Sequence, residues 1–140
     1  MEMKTVLLLY SNKDNFKDIK SFLSENNYKI VFTNDVYEGI SICIKSIVDI
    51  VVIDFSSNTA PGLEQIDIFR KYNSYIPILF ISNRSDIETK VIAFNSGAND
   101  FLVKPFNNYE LIVRMNNLTR FNKKNDEEIF TNGDLKINFT

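Results

Sequence analysis

Gly97-Ala98-Asn99-Asp100-Phe101-Leu102-Val103-Lys104-Pro105-Phe106 contains, in order, a helix end, a polar turn, a buried strand and a charged exit. Gly97 stands where a left-handed residue closes a helix. Phe101 to Val103 is a short apolar run without polar alternation, the pattern of a strand covered on both faces, and Lys104 follows at its carboxyl end. The same unit recurs upstream. Val6 to Leu9, Ile30 to Phe32, Ile50 to Ile53 and Ile78 to Ile81 are comparable runs, rich in β-branched residues. Between them lie stripes of helical period: Phe16, Ile19, Phe22 and Leu23; Ile40, Cys43, Ile44 and Ile47; Leu63, Ile66 and Phe69 or Arg70; Ile87, Val91 and Phe94. Leu111, Met115 and Leu118 form a fifth stripe after Pro105. Five strand-helix units in strict alternation predict an α/β fold, a doubly wound five-stranded parallel sheet with right-handed crossovers.

Helix boundaries agree with this reading. Asn34-Asp35 can cap the second helix, Pro61 suits the first turn of the third, and Ser85-Asp86 can cap the fourth. A chain of 140 residues, 44% hydrophobic and 24% charged, is the size of one domain with a real core. It contains no histidine and one cysteine, which excludes Ser-His and Cys-His catalysis, an internal disulfide and a Cys-built zinc site. Cys43 falls in an apolar stripe and reads as packing. The net charge of -2 and pI near 5.2 argue against a nucleic-acid-coating surface within this stretch. No apolar run reaches the roughly 18 residues needed to span a bilayer, and the N-terminus has no signal-peptide pattern, so a cytoplasmic protein without membrane contact is expected.

Residues 1–121 read as the domain. Residues 122–131 read as a linker, since Asn122 to Glu128 is polar and charged with no apolar anchor. Over 132–140, Asn132-Gly133 is a turn signal, and Leu135, Ile137 and Phe139 alternate with polar residues as in a half-buried strand. This reads as the first strand of a further domain that lies outside the chain.

In an open parallel sheet, reactive groups collect at the carboxyl ends of the strands. Here those ends carry Tyr10, Ser11 and Asn12; Asp54; Ser82 and Asn83; and Lys104 with Pro105. One carboxylate, one hydroxyl and one ammonium face a common crevice.

The run from Gly97 to Phe106, together with Val51-Val52-Ile53-Asp54 and the later Gly62-Leu63, resembles the receiver domain of two-component response regulators from about Lys4 to Phe121. The resemblance implies a CheY-like, flavodoxin-like sheet of order 2-1-3-4-5. It implies that Asp54 is the phosphoacceptor for a kinase phosphohistidine and that Lys104 pairs with its carboxylate and later with a phosphoryl oxygen. Ser82 would be the switch hydroxyl and Phe101 the switch aromatic that turns inward as the hydroxyl moves. The peptide before Pro105 would be cis. A receiver would be no enzyme, beyond assisting its own phosphoryl transfer.

One departure stands out. Receivers usually close the first strand with two acidic residues that, with the phosphoacceptor, hold Mg²⁺; here those places hold Tyr10 and Ser11. Mg²⁺ wants several hard oxygen ligands, and phosphoryl transfer needs it to neutralise developing charge. Mg²⁺ binding is therefore expected to be weak, with no cofactor required; Asp14 is the one nearby acid that could join Asp54.

Lys90, Val91 and Phe94 on the fourth helix, Asp100 on the fifth strand, and Glu110, Val113 and Arg114 on the fifth helix resemble the dimerisation face of OmpR/PhoB-type regulators. There an apolar patch is ringed by ion pairs between subunits. Here these would be Lys90 with Glu110 and Asp100 with Arg114. The plain alternative is a solvated face with local contacts such as Glu110 to Arg114. The expected function is that of a regulatory receiver of a transcriptional regulator, a homodimer that reaches DNA through a winged-helix domain outside the chain. The rivals are an orthodox phosphoaccepting receiver fed by a sensor histidine kinase and, more remotely, a flavodoxin-like small enzyme. Against the latter, Tyr10 to Phe16 lacks the Gly and Ser/Thr richness of a phosphate cradle, and Asp54-Phe55-Ser56 has no second carboxylate two residues on.

Overall fold

The computed structural model describes residues 2–55 and 62–132, with side chains described except at 13 and 121–132. Five strands, β1 (Lys4–Tyr10), β2 (Tyr28–Thr33), β3 (Ile50–Asp54), β4 (Ile78–Ser82) and β5 (Asp100–Val103), pair in parallel in the order β2-β1-β3-β4-β5. The helices are α1 (Lys20–Glu25), α2 (Val36–Lys45), α3 (Leu63–Tyr72), α4 (Ile87–Ser96) and α5 (Asn108–Asn132).

Side chains alternate across each strand, so the apolar runs serve two cores at once. Val6, Leu8, Val52, Leu79 and Leu102 pack under α1 and α5, with Leu23, Leu111 and Met115. Leu7, Leu9, Val51, Ile53 and Phe80 pack under α2, α3 and α4, with Ile40, Ile66, Phe69 and Ala93. All residues of β3 and β4 are buried, as runs without alternation require. Each fully buried Leu, Ile or Val contributes about 1.5–3 kcal/mol, enough in sum to hold the polar strand ends in fixed places.

The caps fall where expected on two helices. The Asp35 carboxylate accepts Tyr37 N–H at 3.0 Å, and Asp86 accepts Thr89 N–H at 3.0 Å. Asp86 also accepts from the Thr89 hydroxyl at 2.8 Å and from Arg84 Nε at 3.0 Å, and these bonds hold its carboxyl well below the usual carboxylate range. A depressed folded-state pKa stabilises above the unfolded value, about 3.9 for Asp, and that contribution fades as pH falls through the folded value. Acid unfolding of an Asp86→Asn variant should therefore show a shallower loss of stability below about pH 4 than wild type. Superimposable acid limbs in urea titrations would remove Asp86 from the acid response. Pro61 lies outside the described residues; α3 follows Gly62, which has a left-handed φ of 76°.

Gly97 ends α4 with φ at 121°, and a Cβ there would stand 2.6 Å from Arg70 Cγ. Glycine leaves room for a clamp. Arg70 donates to the carbonyls of Gly97 (2.8 and 3.0 Å), Ile76 (2.7 Å) and Asn73 (3.2 Å) and to Asn99 Oδ1 (2.8 Å), tying α3 to the turn that leads into β5.

Three expectations need correction. The first stripe is two pieces, a 3-10 turn (Lys13–Phe16) and then α1, because Asn12 and Asn15 cap the turn reciprocally and close it early. Phe16, Ile19 and Leu23 still reach one core. In α2 the buried row is Val36, Gly39 and Ile40 with Cys43 half-buried; Ile44 stands off that row and Ile47 follows the helix end, leaving them 74% and 85% exposed. Burial pushes the Cys43 thiol up to about 11, consistent with packing and not with reactivity.

The α4 stripe faces the wrong way. Ile87, Val91 and Phe94 are exposed, and Thr89 and Ala93 face the sheet, because small side chains let the helix lie close. Periodicity marks one face of a helix without saying which face is the core. α5 continues to Asn132, so the residues read as a linker are helical over 122–131. No Gly or Pro interrupts 108–132, and Lys and Glu are good helix formers, so propensity carries the helix past its last apolar anchor. The strand expected over 133–140 lies outside the described residues. Among the described residues, no helix is long and apolar enough to cross a membrane.

Candidate functional site

The sheet register brings the predicted crevice together. Tyr10 stands beside Asp54 across the β1–β3 ladder, and Ser82 stands beside Val103 across β4–β5. Two bonds continue the ladders past the strand ends: Ser11 N–H to the Asp54 carbonyl at 3.2 Å, and Lys104 N–H to the Ser82 carbonyl at 2.9 Å. Four strand ends are thereby fixed around one point. The Lys104–Pro105 peptide is cis, as expected.

At that point Lys104 Nζ lies 2.6 Å from Asp54 Oδ2. The carboxylate is 1% exposed and the lysine side chain 26%, so Asp54 is enclosed and Lys104 reaches it from the rim along its aliphatic stem. A buried carboxylate is costly unless a cation is held against it. Lys104 supplies that cation.

Ser82 is buried, and its hydroxyl accepts Arg84 N–H at 3.0 Å, a local turn that aims the loop toward α4. Phe101 is buried in the inward position, with its ring 5.7 Å from that of Phe80 and 6.5 Å from that of Phe94. Lys90 Nζ lies over the same ring at 6.0 Å. Phe101 therefore touches both the core and the outer surface of α4.

Tyr10 packs its ring against Phe16 and Phe32, with centroids 6.4 and 6.3 Å away, and Lys20 Nζ lies 4.1 Å over Phe32. The sequence does not reveal this aromatic group: Ile30 to Phe32 reads as a buried run, yet Phe32 is 50% exposed on β2, a strand at the edge of the sheet. Ser11 is exposed, its hydroxyl 3.4 Å from Asn15 Oδ1. Asp14 is exposed in the 3-10 turn, where its N–H donates to Asn12 Oδ1. Among the described residues, no three His, Cys, Asp or Glu side chains form a metal-ligating group.

This donor set does not fit Mg²⁺. One carboxylate stands at the strand ends, one of its oxygens is engaged by an ammonium at 2.6 Å, and a phenol and a hydroxyl replace further carboxylates. A crevice with several acids and one lysine is short of positive charge and attracts a dication. Asp54 with Lys104 is already neutral.

On the α4–β5–α5 face, Val91, Phe94 and Val113 are 48%, 45% and 65% exposed. Within the single chain the charges on this face pair locally. Arg114 pairs within its own chain, with Asp100 at 2.9 Å and Glu110 at 3.0 Å, because Glu110 precedes it by one helical turn and Asp100 projects from the neighbouring strand.

Comparison with known proteins agrees with this fold. The family described as "Response regulator receiver domain" matches residues 6–116. "Cell cycle response regulator CtrA" of Brucella ovis is 30% identical over 133 residues, 95% of this chain and 57% of the relative. The chain thus spans little more than half the length of the curated relatives it matches. Among solved structures, the "Francisella response regulator 1452 receiver domain" is 30% identical with a TM-score of 0.73, covering 84% of this chain and 97% of that one. A CheY-like response regulator receiver domain protein from Methanospirillum hungatei shares the fold at 17% identity and a TM-score of 0.76, covering 89% and 99%.

Proposed function

The chain belongs to the response regulator receiver domain family, and from that premise we propose that it is the regulatory half of an OmpR/PhoB-type transcriptional regulator that works without Mg²⁺-dependent phosphorylation of Asp54. The observation that carries this reading is the Asp54–Lys104 pair at 2.6 Å, flanked by Tyr10 and Ser11 instead of two acids. Lys104 neutralises Asp54 without a metal and holds β3 and β5 together at their ends.

Phe101 lies inward beneath α4 in the same arrangement, the position the resemblance assigns to an engaged switch. The pocket thereby favours one state of the α4–β5–α5 face, through which two copies associate; Val91, Phe94 and Val113 supply the apolar burial and charged residues fix register. DNA contact belongs to a domain beyond residue 140, placed on paired half-sites by the dimer with affinity raised by linkage. The setting is the cytoplasm. A sensor kinase, if one acts on this chain, does so without a durable phosphoryl mark on Asp54.

Self-association tests the reading. Sedimentation of the chain at a series of concentrations should give the same monomer–dimer equilibrium with and without acetyl phosphate and Mg²⁺. A shift toward dimer on adding the phosphodonor, abolished by Asp54→Asn, would restore the orthodox reading.

A further inference from the structure

An apolar surface without an assigned role lies at the end of the sheet opposite the crevice. Tyr75 and Ile47, 86% and 85% exposed, are the most exposed large apolar side chains among the described residues, and Ile44 and Tyr72, close to them in sequence, are 74% and 61% exposed. Topology groups the four. Ile44 and Tyr72 stand in the last turns of α2 and α3, which pack against the same core. Ile47 and Tyr75 stand in the loops that lead into β3 and β4, and these strands are neighbours: Val51 pairs with Ile78, and Val51 N–H donates to the Pro77 carbonyl at 2.9 Å. The two loops therefore run side by side along the amino-end edge of the sheet.

α5 leaves the domain at that same edge. Lys4 Nζ, at the start of β1, donates to Thr119 Oγ1 at 2.9 Å, and the Tyr28 hydroxyl, at the start of β2, donates to Asn116 Oδ1 at 2.8 Å. Thr119 is buried, and the helix continues from it to Asn132. At about 1.5 Å per residue, this arm carries the following chain roughly 20 Å beyond the edge. The match covers 57% of the curated relative, so a sizeable part of that protein lies outside it. A domain of about 100 residues is roughly 30 Å across. A domain wider than its tether is long is held against the edge it hangs from.

We infer that the surface of Ile44, Ile47, Tyr72 and Tyr75 docks the domain that follows residue 140, an inference that rests on the two-part regulator proposed above. Large apolar side chains grouped on a surface mark an interaction site. Tyrosine suits one that opens and closes, because its ring adds apolar area and its hydroxyl keeps contact with water. The tether supplies the rest. An attached domain meets the face at an effective concentration in the millimolar range, so a patch too small to hold two free proteins together suffices. Docking at this edge leaves the α4–β5–α5 face open to a second copy and fixes the direction in which the DNA-binding domain is presented.

Hydroxyl-radical labelling, read tyrosine by tyrosine by mass spectrometry, tests the inference on the 140-residue chain and on the protein with its natural continuation. Labelling of Tyr72 and Tyr75 should fall about threefold or more in the longer protein, as a docked tethered domain requires. Tyr37, 57% exposed at the other end of α2, should label equally in both. An Ile44→Asp, Ile47→Asp variant of the longer protein should recover the labelling, and both sites are exposed enough for the fold to accept the charges. Unchanged labelling of Tyr72 and Tyr75 would overturn the inference, and so would protection that survives both substitutions. Protection already present in the 140-residue chain and rising with its concentration would assign the face to a second copy and overturn it equally. DNA binding by the longer protein separates the two readings. Protected tyrosines in a protein that binds no DNA would uphold the docking and defeat the transcriptional role; DNA binding with unprotected tyrosines would do the reverse. A natural chain that ends at residue 140 would defeat both.

Discussion

A Tyr10→Asp, Ser11→Asp double variant should take up a phosphoryl group on Asp54 from acetyl phosphate in the presence of Mg²⁺, at a rate on the order of a hundredfold or more above wild type. The backbone needed for this is already in place. Tyr10 is paired with Asp54 across the sheet, and Ser11 N–H donates to the Asp54 carbonyl at 3.2 Å, so new carboxylates would project beside the existing one. They would add two negative charges to a neutral crevice and create the deficit a hard dication fills. The gain should vanish on adding Asp54→Asn and on removing Mg²⁺. Equal labelling of wild type and double variant, read by intact mass, would mean that Tyr10 and Ser11 do not limit the chemistry.

The second large effect concerns stability. Lys104→Met should destabilise the domain by about 2 kcal/mol or more, while Asp54→Asn should cost clearly less. The asymmetry follows from burial. Loss of Lys104 removes the ammonium from a carboxylate that is 1% exposed, whereas loss of the carboxylate leaves an ammonium on a side chain that is 26% exposed and can turn to water. The figure is set below the roughly 3–5 kcal/mol of a fully buried broken pair because the lysine end is partly solvated. Lys104→Met combined with Asp54→Asn should recover most of the loss, as replacing both partners of a buried pair often does. Urea midpoints measure all three. A change within about 0.5 kcal/mol for Lys104→Met would show that the pair carries little of the pocket's order.

The parts of this structure that were legible in the sequence are those that burial dictates. Runs such as Ile50 to Ile53 and Ile78 to Ile81 have one stable solution, a strand covered on both sides, and five of them in alternation with helices leave few topologies. The crevice followed, because strand ends are where polar residues interrupt those runs, and Asp54, Ser82 and Lys104 meet there. Surface geometry was less legible. Ile87, Val91 and Phe94 have the spacing of a core stripe but face outward, since Thr89 and Ala93 fit closer to the sheet. Partner choice among charges was not legible either. Asp100 and Arg114 are far apart in sequence, and only β5 lying beside α5 shows that they meet within one chain. Arg70 enters the sequence reading only as the alternative to Phe69 in the third stripe; its role appears once three carbonyls converge on it.

The proposed function rests on the Asp54–Lys104 pair setting the pocket without a metal. A Mg²⁺ titration of the wild-type chain, followed through the backbone amide resonances of Ser11, Asp54 and Lys104, tests this most directly. No saturable shift is expected at these three positions up to millimolar Mg²⁺, and saturable shifts should appear in the Tyr10→Asp, Ser11→Asp variant. Saturable shifts centred on Asp54 in the wild-type chain would contradict the proposal that the pocket is set without Mg²⁺.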